Sequence, residues 1–176
     1  MTSPIEYVAR GWPVFPCHSI ERGKCTCKLG LDCHDPGKHP LTQHGFKAAT
    51  TDLNMINAWM ARWPNANWAL ATGSESGIAV IDIDPRHGGY DSFAQLQQGR
   101  GPMPDTLRSK TGGGGRHLFY SIPPGFVIPK VRGWMPGVDF QSEGAYVILP
   151  ESKHKSGVPY LWINWEEQLT DRKSVV

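Results

Sequence analysis

With 176 residues the chain has room for one domain with a sizeable core and little beyond it. A net charge of only +2 excludes a globally polycationic nucleic-acid binder, so contacts with phosphates must come from local basic clusters. A hydrophobic share of 39%, with Gly 20 and Pro 15, predicts a modest scaffold carrying many turns.

No run of 18 apolar residues and no signal-like N-terminus occur, so a cytoplasmic protein without membrane association is expected. In that compartment the four cysteines read as metal ligands rather than disulfides.

In chain order, Ile5 to Arg10 predicts a short helix closed by Gly11, followed by an extended segment at Trp12-Pro13-Val14-Phe15-Pro16. From Cys17 to His39 hydrophobicity nearly vanishes, and a loop of this kind needs something other than an apolar core to hold it. Cys25, Cys27, Cys33 and His39 give the spacing C-x-C-x5-C-x5-H, which suits a closed, tetrahedral structural Zn2+. Cys17, His18 and His34 compete for places in that set. Three thiolates leave little Lewis acidity, so a catalytic role for this metal is not expected. Lys24, Lys28 and Lys38 decorate the loop, within reach of phosphates or template.

Thr51-Asp52 supplies an N-cap for a helix carrying Leu53, Ile56, Trp59, Met60 and Trp63 at helical spacing before Pro64. The run Gly77-Ile78-Ala79-Val80-Ile81-Asp82-Ile83-Asp84 reads as a strand buried on both faces, ended by Pro85. After Gly88-Gly89 a second helix is expected, capped by Asp91 or Ser92, carrying Phe93 and Leu96 and ending near Gly99. Residues 100–111 read as a polar connector. Strands are predicted at Arg116–Ile122, Gly137–Phe140 and Ala145–Leu149. This order predicts an α+β fold with a mixed sheet. Residues 164–176 are polar and read as the start of a linker to a possible further domain, leaving 1–163 as the domain itself.

Asp82 and Asp84 are out of place in an apolar strand. At a period of two they share a face with Cβ atoms about 6–7 Å apart, a separation that lets two carboxylates grip a pair of divalent cations. Asp139, embedded in Gly137-Val138-Asp139-Phe140, completes a three-carboxylate set able to hold two Mg2+ or Mn2+ ions against phosphate oxygens. Between them lies Ser109-Lys110-Thr111-Gly112-Gly113-Gly114-Gly115-Arg116-His117. This is not a phosphate-binding loop of the Gly-Lys-Ser/Thr kind, since a strand rather than a helix follows. Four glycines flanked by Lys110, Arg116 and His117 nevertheless read as an anion cradle for a triphosphate. A tyrosine-nucleophile initiator is a weak rival, because Tyr120 faces away from His117 and no His-x-His occurs.

Taken together, these residues resemble the three motifs of the archaeo-eukaryotic primase superfamily: Asp82-Ile83-Asp84, the glycine run with His117, and Asp139. More narrowly, the chain resembles the bifunctional primase-polymerase (prim-pol) domains of plasmids, phages and integrated elements. Further matches are Gly37-Lys38-His39-Pro40, His44-Gly45-Phe46, Asn67-Trp68-Ala69-Leu70-Ala71-Thr72-Gly73, Pro85-Arg86-His87-Gly88-Gly89 and Gly144-Ala145-Tyr146-Val147-Ile148-Leu149-Pro150. Glu151 departs from the family's usual Pro-Pro-Ser. The resemblance covers about residues 4–163.

The resemblance implies an RRM-like catalytic half packed on a smaller α/β half, with the cysteine segment 17–40 as an inserted zinc loop. It implies Asp82, Asp84 and Asp139 as ligands of two Mg2+ or Mn2+ ions. His117 would meet the incoming dNTP or rNTP, beside Lys110, Arg116 and the Gly112–Gly115 backbone. Single-stranded or primed DNA would be the template, and a fused or separate helicase a possible partner. Two other readings stay open: a two-metal nuclease or phosphatase, and a non-catalytic zinc-stabilised nucleic-acid-binding module. Trp134 and Tyr146 are aromatic residues that could stack on bases, although core packing is the commoner fate.

Overall fold

The computed structural model describes residues 2–165. Pro4 sits in the first turn of α1 (Pro4–Ala9), where its missing N–H costs nothing, and the helix buries Tyr7 and Val8. The chain then forms β1 (Val14–Cys17), buried throughout, and a small hairpin of β2 (Ile20–Glu21) and β3 (Lys24–Cys25). Asp52 caps α2 (Leu53–Arg62), accepting the Asn54 amide at 2.8 Å, as its sequence predicts. There follow β4 (Asn67–Thr72), β5 (Ile78–Ile83), α3 (Gly89–Arg100), β6 (Leu107–Lys110) and β7 (Arg116–Ser121). The last elements are β8 (Val131–Met135), β9 (Val138–Gln141), β10 (Ala145–Ile148) and β11 (Leu161–Trp162).

The strands sort into a small sheet, β1-β4-β10, a larger one, β11-β6-β7-β5-β9-β8, and the separate β2-β3 hairpin. All pairings between these strands are antiparallel. The α+β class holds, but the expected mixed sheet does not. The β5-α3-β6 crossover does join two strands that run the same way. β7 inserts between them, so each strand meets only opposite-running neighbours.

α3 also starts earlier than expected. Gly88, at φ 78, is its N-cap, ahead of Asp91 and Ser92. Gly89 is required there by packing, because a Cβ would overlap the carbonyl oxygen of Gly137 and crowd the Asp84 backbone. The predicted connector 100–111 contains β6, whose polar Leu-Arg-Ser-Lys sequence becomes a strand only through pairing with β7.

Two cores result. The larger joins the small sheet, α1 and α2 to one face of the large sheet, through Phe15, Ile56, Leu70, Val80 and Phe119 among others. The smaller holds Ile81, Ile83, Leu118 and Val138, with Phe93 of α3 packed against them. Each aliphatic side chain so buried contributes about 1.5–3 kcal/mol. Asn164 belongs to this packed body: its side chain accepts the Arg108 amide and donates to the Thr106 carbonyl. Trp165 stacks on Trp162. The rest of the expected linker, 166–176, lies outside the described residues. Among the described residues no helix is long and apolar enough to cross a membrane.

Candidate active site and metal centre

Alternation along β5 decides where the carboxylates go. Ile78 and Val80 enter the larger core, while Ile81 and Ile83 enter the smaller one. Asp82 therefore continues the Ile78–Val80 face, beside a cavity of about 440 Å3 that it lines with His117, Gln141 and Tyr146. In register, Asp82 stands opposite His117 on β7 and opposite Asp139 on β9. Directly opposed residues of an antiparallel pair share a face, with Cβ atoms about 4.5–5.5 Å apart. Three strands from distant parts of the chain thus bring Asp82, His117 and Asp139 side by side.

His117 Nε2 lies 3.5 Å from Asp82 Oδ1, the imidazole buried and the carboxylate 34% exposed. Burial alone would raise the Asp82 carboxyl. The adjoining His117 and the charge of Lys38 outweigh it and hold the group below the usual range, so Asp82 is an anion at neutral pH.

Asp84 lies one residue past β5, its amide bonded to the Gly137 carbonyl at 2.7 Å. Its carboxylate accepts the Arg86 Nε at 3.0 Å, Nη2 at 2.6 Å and backbone amide at 3.0 Å, and His87 Nδ1 is 3.2 Å away. The Arg86 side chain is the main cause that depresses this carboxyl strongly. Asp139 Oδ1 accepts the Gly133 amide at 2.6 Å. The three carboxylates share a face without converging on one point. Their all-oxygen donor chemistry, with Asp82 open to the cavity, fits hard divalent cations.

The glycine run forms a closed turn between β6 and β7. Thr111 N–H donates to the Gly115 carbonyl at 2.9 Å, Gly114 N–H to the Thr111 carbonyl at 3.0 Å, and Gly115 N–H to Thr111 Oγ1 at 3.0 Å. Close approach demands these glycines: a Cβ on Gly112 would overlap His154 and the Val158 carbonyl, and one on Gly115 the Ile83 carbonyl. Two of the four amides are therefore spent inside the turn. Gly113 lines a small notch of about 50 Å3 with Asp82, Asp84, Arg86 and His117.

Lys110 and Arg116 are paired across β6 and β7, one residue out of phase with the Ser109–His117 pair. They consequently face the other side of the sheet. Arg116 lies 5.8 Å from the Tyr90 ring and lines a second cavity, of about 290 Å3, against α3. The structure does not bring them to the carboxylates. Its nearby cations are instead Lys38, Arg86, Lys130 and Arg132, of which the sequence singles out only Lys38, with Lys24 and Lys28, as a phosphate or template contact. For Arg86 the one available signal is position, directly after Asp84-Pro85.

In the cysteine loop, the ligand atoms of Cys25, Cys27, Cys33 and His39 all lie within 4.8 Å of one another, the only such group among the described residues. Cys25 Sγ and Cys33 Sγ are each 3.3 Å from His39 Nε2. Three sulfurs and one imidazole nitrogen so close together fit a tetrahedral Zn2+. The competitors fall away for separate reasons. Cys17 is fully buried on β1, where burial pushes its thiol strongly up. His18 packs on the His39 ring at 4.5 Å and pairs through Nδ1 with Thr26 Oγ1 at 3.0 Å. His34 is exposed and outside the group.

The chain is thus an antiparallel α+β domain with a carboxylate-bearing cleft and a Cys3His loop. The family model described as bifunctional DNA primase/polymerase, N-terminal, matches residues 4–172, nearly the whole chain. The chain belongs to this Prim-Pol family and is a nucleotidyltransferase-type enzyme of the primase/polymerase class. Comparison with curated proteins yields no match.

Proposed function

We propose that the protein carries out template-directed nucleotidyl transfer, as a DNA primase, a DNA polymerase or both, in the replication of a plasmid, phage or integrated element. The observation that carries this reading is the cross-strand register that sets Asp82, His117 and Asp139 side by side, with Asp84 at the strand end. The order β6-β7-β5-β9, with α3 crossing between β5 and β6, supports viewing the large sheet as the RRM-like catalytic half. The β1-β4-β10 sheet with α1 and α2 is then the smaller half. The working compartment is the cytoplasm, and a helicase, fused or separate, is a fitting partner.

Asp82, Asp84 and Asp139 would hold two Mg2+ or Mn2+ ions. Such ions, when bound, activate the attacking 3′-hydroxyl and neutralise charge developing on the α-phosphate and pyrophosphate. Asp82 is kept ionised by His117 and Lys38, ready to act as a ligand without first losing a proton. His117, buried and held over Asp82, can donate to a phosphate oxygen in the same cavity. Asp84 must exchange its contacts with Arg86 and His87 for a cation, which frees the Arg86 guanidinium for phosphate or template. The basic Lys130 and Arg132, on and beside the exposed β8, extend the cavity wall and suit a DNA strand.

The test is incubation with primed and unprimed single-stranded DNA, Mg2+ or Mn2+, and labelled dNTPs or rNTPs, resolved on a gel. Extension products that disappear in an Asp82→Ala, Asp84→Ala double variant, by at least about 10^3-fold, are expected. Shortened template instead of extended primer would favour the nuclease reading. Binding without any chemistry would favour the non-catalytic module.

A further inference from the structure

Lys38 stands where the cysteine loop meets the carboxylate cleft. It lines both the cavity that holds Asp82 and His117 and the notch that reaches Asp84, Arg86 and Gly113. Its side chain is half-buried, and among the described residues it makes no ion pair.

The backbone that carries it is clamped on both sides. Before it, the Gly37 carbonyl accepts the Asn67 side-chain amide at 2.8 Å, and Asn67, itself buried, also donates to the Lys153 carbonyl at 2.8 Å. After it, the His39 carbonyl accepts the His18 amide at 2.8 Å, and the His39 ring joins the Cys25–Cys27–Cys33 group. Gly37, at φ 75, makes the bend, and a side chain there would press on Asn67 and Ile20.

We propose that Lys38 binds the phosphate oxyanions of the incoming nucleoside triphosphate, and that the Cys/His loop is the device that holds it over Asp82 and His117. This inference rests on the nucleotidyl-transfer reading above. A lysine ammonium is a compact charge with three donors, suited to a phosphate cluster. With Lys110 and Arg116 on the opposite face, the cations beside the carboxylates are Lys38, Arg86, Lys130 and Arg132, and of these only Lys38 lines both the cavity and the notch. The notch Lys38 shares with Gly113 and His117 is only about 50 Å3, far smaller than the 440 Å3 cavity beside it. A triphosphate terminus bound beside Gly113 and His117 would meet Lys38 there, whereas a strand would run along the larger cavity wall at Lys130 and Arg132. The structural zinc site and nucleotide affinity are therefore linked through the one peptide that joins Lys38 to His39.

The test measures binding rather than turnover. Fluorescently labelled dATP with Mg2+, and separately a labelled single-stranded oligonucleotide, are titrated by anisotropy with wild-type protein, Lys38→Ala, Lys38→Arg and the exposed Lys47→Ala as a charge-loss control. Thermal midpoint and zinc content are measured on each. Lys38→Ala is expected to weaken dATP binding about tenfold, with oligonucleotide affinity, zinc content and midpoint retained. Lys38→Arg should recover most of the loss, and Lys47→Ala should lose little. Zinc removal should weaken dATP binding in wild-type protein but add little in Lys38→Ala.

Equal dATP binding by wild-type protein and Lys38→Ala would overturn the inference alone. So would a loss confined to the oligonucleotide, which would make Lys38 a template contact. Wild-type protein that binds no dATP would overturn the nucleotidyl-transfer reading and this inference with it.

Discussion

The cysteine loop and the carboxylate face build their sites in opposite ways. Cys25, Cys27, Cys33 and His39 lie within one short segment with little apolar packing, and their ligand atoms meet within 4.8 Å. Asp82, His117 and Asp139 come from β5, β7 and β9, and an extensive apolar framework sets their positions. The first site should depend on its metal for its shape. The second should keep its shape and lose only its chemistry when its ligands are removed. Lys38 couples them, since it belongs to the first by sequence and to the second by position.

The largest break in this comparison should come from Cys27→Ser or zinc chelation. Loss of zinc and about 10 °C of thermal midpoint is expected, because metal binding and ordering of the loop are one event. At saturating nucleotide the chemical step should survive. Elemental analysis, a melting curve and a kcat-against-KM comparison check this, and normal zinc stoichiometry in the variant would show that the ligand set is different.

A smaller effect, on the framework side, is expected from Gly89→Ala. Its Cβ meets the Gly137 carbonyl and the Asp84 backbone, so the start of α3 must move away from the ends of β5 and β9. The cost should be about 2–3 kcal/mol by denaturant unfolding. Catalysis should fall as well, since Asp84 moves, while zinc content stays normal. An unchanged unfolding midpoint would show that the contact can relax.

The smallest effect is a pH dependence carried by His154, the residue against which Gly112 packs. Its Nδ1 accepts the Ser156 amide at 3.1 Å, as a neutral imidazole does. Burial first, then Lys38, Lys155 and Arg86, lowers its pKa below the ordinary 6.5. The unfolded chain then binds the proton more readily, so this contribution to stability is complete above about pH 6.5 and declines as pH falls below it. His154→Gln should flatten the fall in thermal midpoint between pH 7.5 and pH 5.5. A profile as steep as that of the wild-type protein would assign the effect to another group.

Much of this is legible in the sequence where the signal is local. The cap at Asp52, the buried run Ile78–Ile83 and the cysteine spacing each express a short-range rule, and the structure contains all three. Elements whose stability comes from pairing were not legible. β6 reads as a polar connector, β8 is exposed along most of its length, and β11 is two residues at a sheet edge. The helix start at Gly89 was missed for a related reason, because Asp91 and Ser92 look like caps and the close contact with Gly137 is invisible in a linear chain.

The same division runs through the candidate site. By itself the sequence singled out the candidate ligands, since carboxylates in an apolar strand and thiolates in a loop with little core conflict with their surroundings wherever the chain goes. Only the tertiary structure decided which cations face them. A shift of one residue along β7 reverses the face of a side chain, and that parity puts His117 into the cleft and Arg116 behind the sheet. It also took the folded loop to deliver Lys38 to Asp82. No period or spacing brings residues so far apart in the chain to one cavity, because only the packing of the loop beside the sheet does so.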